Sequence, residues 1–179
     1  MRWNNRVKHQ LIVMLLLPPM LLLEVPSLAR SLFDRPPTRV MIHNPAAIEG
    51  LRNRTTITVV IPEDAGNALG SIVLRQLPNI DLWDWGRSDP LVYFGDYSLR
   101  RRGASGLASA VVSDSDGSVS IQLTPAVQPG ATVNVVFRGF NPEASIYQWS
   151  TELLADGDHP VRYSGPTLRL NVYEQDPYR

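Results

Sequence analysis

The alternation of apolar and polar positions is clearest in GSVSIQLTPAVQPGATVNVVFRGF, residues 117–140. Val119, Ile121 and Leu123 alternate with Ser118, Ser120, Gln122 and Thr124, and a two-residue repeat sends the apolar set to one face of a strand. Val133, Val135 and Phe137 alternate in the same way with Thr132, Asn134 and Arg138, although Val136 interrupts the polar side. Between the two runs, Gln128-Pro129-Gly130-Ala131 fits a type II turn: proline pre-sets φ at the second position, and glycine accepts the positive φ demanded at the third. The segment therefore predicts strand, turn and strand, with one buried face.

Similar runs recur along the chain. A short first strand is expected around residues 40–42, followed by TTITVVI (55–61), rich in β-branched residues, and SIVLRQL (71–77). LVYF (91–94), residues 107–112, IYQWSTELL (146–154) and TLRLNVY (167–173) follow. Turn signals separate them: His43-Asn44-Pro45, the PEDAGN stretch, Pro78-Asn79, Asp116-Gly117, Asn141-Pro142 and Asp156-Gly157-Asp158-His159-Pro160. IDLWDWGRSD (80–89) has no period and reads as an exposed connection. About eight short strands and no long helix predict an all-β fold. The expected architecture is an antiparallel two-sheet β-sandwich of the immunoglobulin-like Greek key type.

The first residues break this pattern. Arg2, Arg6 and Lys8 precede an aliphatic run over residues 11–23 interrupted only by Pro18 and Pro19, and Ser27-Leu28-Ala29 supplies the small residues of a cleavage site. Residues 1–29 therefore read as a secretory signal peptide, and the run is shorter than the ~20 residues a membrane-spanning helix needs. No transmembrane anchor is expected after cleavage. Residues 30–54 read as a linker or N-terminal arm, residues 55–174 as the sandwich domain and residues 175–179 as a frayed tail.

Cleavage after Ala29 leaves 150 residues, enough to bury about two-thirds of the unfolded surface without a disulfide. These residues carry 14 Arg against 16 Asp plus Glu and no Lys, a net charge of −2, which argues against nucleic acid as a partner. Export with no cysteine anywhere in the chain fits a bacterial periplasm or exterior, and excludes lipid attachment through a lipobox cysteine.

PEDAGNAL after the TTITVVI strand, PAVQPGATVNVVFRGFNPEASIYQWS across the middle and ADGDHPV before the last strands resemble cyanobacterial exported proteins grouped as domain of unknown function 2808. The likeness runs from about Thr55 to Tyr173. Arg138 stands three residues before Asn141 where the family pattern has four, Trp149 replaces a usual Phe, and His159 replaces an Asn. The resemblance implies a cyanobacterial envelope protein and brings no activity with it.

Candidate chemistry is sparse. Asp156, Asp158 and His159 place two carboxylates and an imidazole within four residues, the strongest metal signal in the chain. The loop is also similar to the D-G-H-P hairpin of the periplasmic copper-resistance sandwich. A two-histidine copper site would need His43, the only other histidine after the leader, to meet His159; a solvated turn accounts for the same residues. Asp114 and Asp116 suggest part of a calcium loop, but the acidic positions that would complete an EF-hand are missing and a hairpin turn explains them. Trp83 and Trp85, with Asp81, Asp84 and Arg87, suggest either a sugar-stacking platform or a lid over the core. Arg100-Arg101-Arg102 suggests a solvated loop or attraction to anionic lipid or acidic polysaccharide. No catalytic motif is present. The expectation is a non-enzymatic envelope module without cofactor, partnered by an unidentified envelope protein or glycan. Copper binding and carbohydrate chemistry are the alternatives.

Overall fold

The structure, a computed structural model, describes residues 31–176. The leader expected at 1–29 and the end of the tail expected at 175–179 lie outside them. The described residues form ten strands: β1 (Arg39–His43), β2 (Thr56–Val60), β3 (Leu69–Gln76), β4 (Leu91–Phe94), β5 (Ala108–Val112), β6 (Val119–Val127), β7 (Thr132–Val136), β8 (Ile146–Ala155), β9 (Arg162–Ser164) and β10 (Leu168–Asn171). They build two antiparallel sheets, β1-β2-β7-β4 and β10-β8-β3-β6-β5, with β9 on the same edge of β8 as β10. The four-stranded sheet follows the A-B-E-D order of immunoglobulin domains, and β10-β8-β3 follows G-F-C. The β5–β6 hairpin extends the second sheet beyond β3. Against the expected count of about eight, each strand but β9 falls on a run named from the sequence; β9 is three exposed or half-exposed residues with no apolar alternation to reveal them.

The alternation of residues 117–140 produces the expected strands, but they lie in different sheets. Gly130 takes φ of 81° and the Ala131 N–H reaches the Gln128 carbonyl at 3.3 Å, the type II turn. That turn carries the chain across the sandwich rather than closing a hairpin. Val119, Ile121 and Leu123 of β6 then face Ile57, Val59, Val133 and Val135 of the opposite sheet, all essentially buried.

The expectation of a single buried face fails for β7. Thr56, Thr58, Asn134 and Val136 on its sheet's outer face are each at most 1% exposed. The cover is the β4–β5 connection, which turns back over this face as a strap spanning residues 95–104. Asn134 fastens it from beneath: its Nδ2 donates to the Gly95 carbonyl at 2.7 Å while its Oδ1 accepts from Thr58 Oγ1 at 2.7 Å. Ser98 N–H donates to Tyr93 Oη at 3.0 Å, and Ala104 pairs with Val92 at the strap's return.

Residues 30–54, expected as a linker or arm, are largely part of the sandwich. β1 pairs along β2, Phe33 is 2% exposed, and Ser31 bridges to Pro160. Proline pairs and mixed charge in the sequence signal only an extended backbone, which a sheet edge accepts as readily as a linker does.

Residues 80–89, expected as an exposed connection, instead insert two indoles into the core. Trp83 meets Trp149 edge-on at 5.2 Å between centroids, and Trp85 meets Phe137 at 5.0 Å. Trp85 Nε1 donates to the Gly117 carbonyl at 3.1 Å, which satisfies its polar edge. Each such ring pair contributes about 0.5–1.5 kcal/mol beyond its buried area.

Candidate functional site

One end of the sandwich gathers the start of β2, the end of β7 and the far tip of the strap. Asn53 and Arg54 lead into β2, Arg138 leaves β7, and Leu99, Arg100 and Arg102 come from the strap. Together they line a recess of about 620 Å³, with four arginines and no acidic residue among them. A second recess of about 460 Å³ shares Asn53 and Arg138 and adds Arg52, Arg87, Asp84 and Phe140. The two recesses thus flank the same pair of residues.

The residues beneath the first recess carry donors with no acceptor among the described residues. Asn53 is 4% exposed; its Oδ1 accepts from Gly139 N and Thr55 Oγ1, both at 3.2 Å, while its Nδ2 is buried and unpartnered. Arg54 donates from Nη1 to the Leu99 carbonyl, which ties β2 to the strap, and its Nε and Nη2 are buried without a partner. A buried donor left unmet costs about 1–3 kcal/mol, more when charged. Arg54, Arg100, Arg102 and Arg138 take part in none of the ion pairs among the described residues, which join Arg35 to Asp64 and both Arg75 and Arg162 to Glu152.

Two glycines shape the second recess. A Cβ on Gly139 would lie 2.2 Å from the Asp84 carbonyl oxygen, and one on Gly86 would lie 2.1 Å from that of Arg138. Only glycine lets these backbones pass so closely. Asp84 closes the joint by accepting from Gly86 N and Phe140 N, each at 2.8 Å.

The expected metal ligands do not converge. His43 sits beside Thr56 at the end where β2 begins, stacked on Tyr97 at 3.7 Å, and burial lowers its pKa. The loop of Asp156, Asp158 and His159 is exposed beyond Ala155, which pairs with Leu69 at the opposite end. Its contact is structural: the His159 carbonyl accepts from Ser31 N at 3.2 Å. A site joining His43 to His159 is thus ruled out by strand direction, and no group of three or more possible ligands forms among the described residues.

Trp83 and Trp85 are 2% and 1% exposed, so neither offers a face for a sugar to stack on; they are the lid over the core. Asp116 belongs to the β5–β6 turn, where its Oδ1 accepts from Ser118 N at 3.0 Å. Hydrogen bonds from Ser113 and then Ser118 pull its pKa down to about 2. Of the recess residues, sequence reasoning reached Arg100 and Arg102 through the arginine run and missed Asn53, Arg54 and Arg138.

The family model described as "Protein of unknown function (DUF2808)" matches residues 31–172. The chain belongs to that family. The match begins at Ser31, ahead of the stretch from Thr55 that carried the resemblance. No curated protein matches the DUF2808 chain. Among solved structures it is similar to an uncharacterized Nocardia farcinica protein with an immunoglobulin-like fold, at 20% identity and TM-score 0.44, covering 74% of this chain and 96% of that one. It is also similar to the collagen-binding domain of a Staphylococcus aureus adhesin, at 8% identity and TM-score 0.39, covering 75% and 96% of the two chains. A chain of a type I cohesin–dockerin complex from Clostridium thermocellum matches at 13% identity and TM-score 0.42, covering 75% and 98%.

Proposed function

We propose that this DUF2808 protein is a non-enzymatic binding module of the cell envelope, exported to the periplasm or exterior of a cyanobacterium. The observation that supports a binding role is the arginine-lined recess. Segments distant in the sequence meet there at the end of the sandwich, above buried donors that no group among the described residues accepts. Loops held on strand ends are where β-sandwiches commonly place their binding residues. The charged leader, its aliphatic run and the absence of cysteine support export, and the family resemblance supports the cyanobacterial setting.

Cell fractionation with mass determination of the N-terminus tests the location. The expected product starts at Arg30 and is found in the periplasmic or external fraction; a chain that keeps its leader in the cytoplasm refutes export. Retention of a defined envelope component by the immobilised exported protein tests binding. Equal retention by a variant with Arg54, Arg102 and Arg138 all changed to Glu removes the recess from the reading.

A further inference from the structure

Resting on that binding-module reading, we infer that the recess takes an acidic glycan chain, with carboxylate or sulfate groups seated among Arg54, Arg100, Arg102 and Arg138. Three observations lead there. The lining is cationic without an internal acid, so an oxyanion meets attraction from every side and repulsion from none. Beneath that lining, Asn53 Nδ2 and Arg54 Nε and Nη2 are buried donors lacking an acceptor among the described residues. An oxyanion with its several lone pairs accepts at once from the forked guanidinium donors of the exposed Arg100, Arg102 and Arg138.

The third observation is a neighbouring recess that shares Asn53 and Arg138 and adds Arg52 and Arg87, its one carboxylate, Asp84, being engaged by Gly86 N and Phe140 N. A lone ion fills one recess, whereas a chain with charge on successive units fills both. An arginine cluster also receives acidic peptides, so a hexaglutamate peptide is a competing probe, and its binding tighter than the charged hexasaccharides would overturn the inference. An anionic membrane engages a basic face through surface charge and apolar insertion. Here Leu99 is the one apolar side chain of the arginine recess, which leaves little for such insertion.

Titration calorimetry of the exported protein at low salt tests the inference, with a uronic acid hexamer, a sulfated hexasaccharide, a neutral hexasaccharide, the hexaglutamate peptide, inorganic phosphate and phosphatidylglycerol vesicles as probes. The expected result is binding of one or both charged hexasaccharides, weakening as salt rises, with the neutral one at least tenfold weaker. Arg102→Gln and Arg138→Gln, both at exposed side chains, lower affinity about tenfold each. Asn53→Asp keeps the oxygen that Gly139 and Thr55 use, places negative charge on the floor, and abolishes binding. Arg75→Gln and Arg162→Gln, on the opposite sheet, change affinity less than twofold.

Charged hexasaccharides that bind no better than the neutral one overturn the inference, as does binding indifferent to Arg102, Arg138 and Asn53. Vesicle binding that Arg138→Gln removes, without glycan binding, assigns the recess to a lipid surface and also overturns it. So does phosphate binding as tight as that of the hexasaccharides, which would make the recess a single-ion site. If the glycans fail while the protein still retains an envelope component through these arginines, this inference falls and the binding-module reading stands. If that retention is also absent, both fall.

Discussion

Replacing Asn134 with Leu tests whether the strap is fastened from beneath. Asn134 is fully buried, accepts from Thr58 Oγ1 at 2.7 Å and donates to the Gly95 carbonyl at 2.7 Å, so Leu of similar size leaves the buried Thr58 hydroxyl without its acceptor and releases the carbonyl of the exposed Gly95. At about 1–3 kcal/mol for the unmet hydroxyl and about 1 kcal/mol for the lost bond to the strap, the expected loss is about 2–4 kcal/mol. In a domain of this size that lowers the melting temperature by roughly 5–15 °C. Urea denaturation followed by the fluorescence of the buried tryptophans reads the stability. The double variant Thr58→Val, Asn134→Leu removes both ends of one bond and is expected to lose less than the sum of the two single changes, by about 1 kcal/mol or more. Limited trypsin digestion supplies a second readout: a strap freed from Gly95 exposes the Arg100–Arg102 backbone and is cut faster under native conditions. A loss below about 0.5 kcal/mol, the size of an ordinary surface substitution, would refute the reasoning. So would strictly additive single changes or an unchanged digestion rate.

Gly139→Ala, with its Cβ placed 2.2 Å from the Asp84 carbonyl oxygen, is expected to cost about 1–3 kcal/mol in urea midpoint and to displace Arg138, weakening any ligand of the recess. Trp85→Ala removes a side chain 1% exposed and packed edge-on against Phe137 and Trp149, with an expected loss of about 3–5 kcal/mol by thermal denaturation. Burial holds His43 below its usual 6.5, so the folded state takes up its proton at lower pH than the unfolded chain does. Stability is then expected to fall as pH drops through 6.5 and to level off below the folded value. His43→Phe, which keeps a ring against Tyr97, flattens that slope in urea midpoints taken between pH 7.5 and 5. Because His43 and His159 stand at opposite ends, any Cu²⁺ uptake seen by calorimetry is expected to show no coupling between His43→Phe and His159→Ala.

The strands were legible because each needs only local alternation. Ile121 between Ser120 and Gln122, or Leu153 between Glu152 and Leu154, states its face within a few residues, and the proline and glycine of the β6–β7 turn state their dihedrals. Partnership was not legible in the same way. Nothing within residues 117–140 distinguishes a turn that closes a hairpin from one that crosses between sheets, because the type II geometry of Gln128 to Ala131 serves both. The burial of Asn134 was hidden for a related reason. Its polarity marks an outward face, and only a second layer of chain, arriving from residues 95–104, turns outward into buried.

The same distinction explains which parts of the candidate site could be read. Proximity in sequence made the loop of Asp156, Asp158 and His159 look like chemistry, yet neighbours along a tight exposed loop gain their third ligand only from elsewhere in the fold, and β1 delivers His43 to the other end. Arg54 and Arg138 gave no such signal, being single arginines far apart in a chain whose arginines replace lysine throughout the domain. What brings them together is the pairing of β2 with β7, which aligns Thr56 with Val136 and so sets the residues just outside both strands side by side. The arginine run at 100–102 then arrives over the same end because Asn134 and Arg54 hold the strap there. A site assembled by sheet order is invisible to spacing. Its sequence trace is polar residues at the ends of strands that the fold makes neighbours, and these become candidates only once the A-B-E-D order is known.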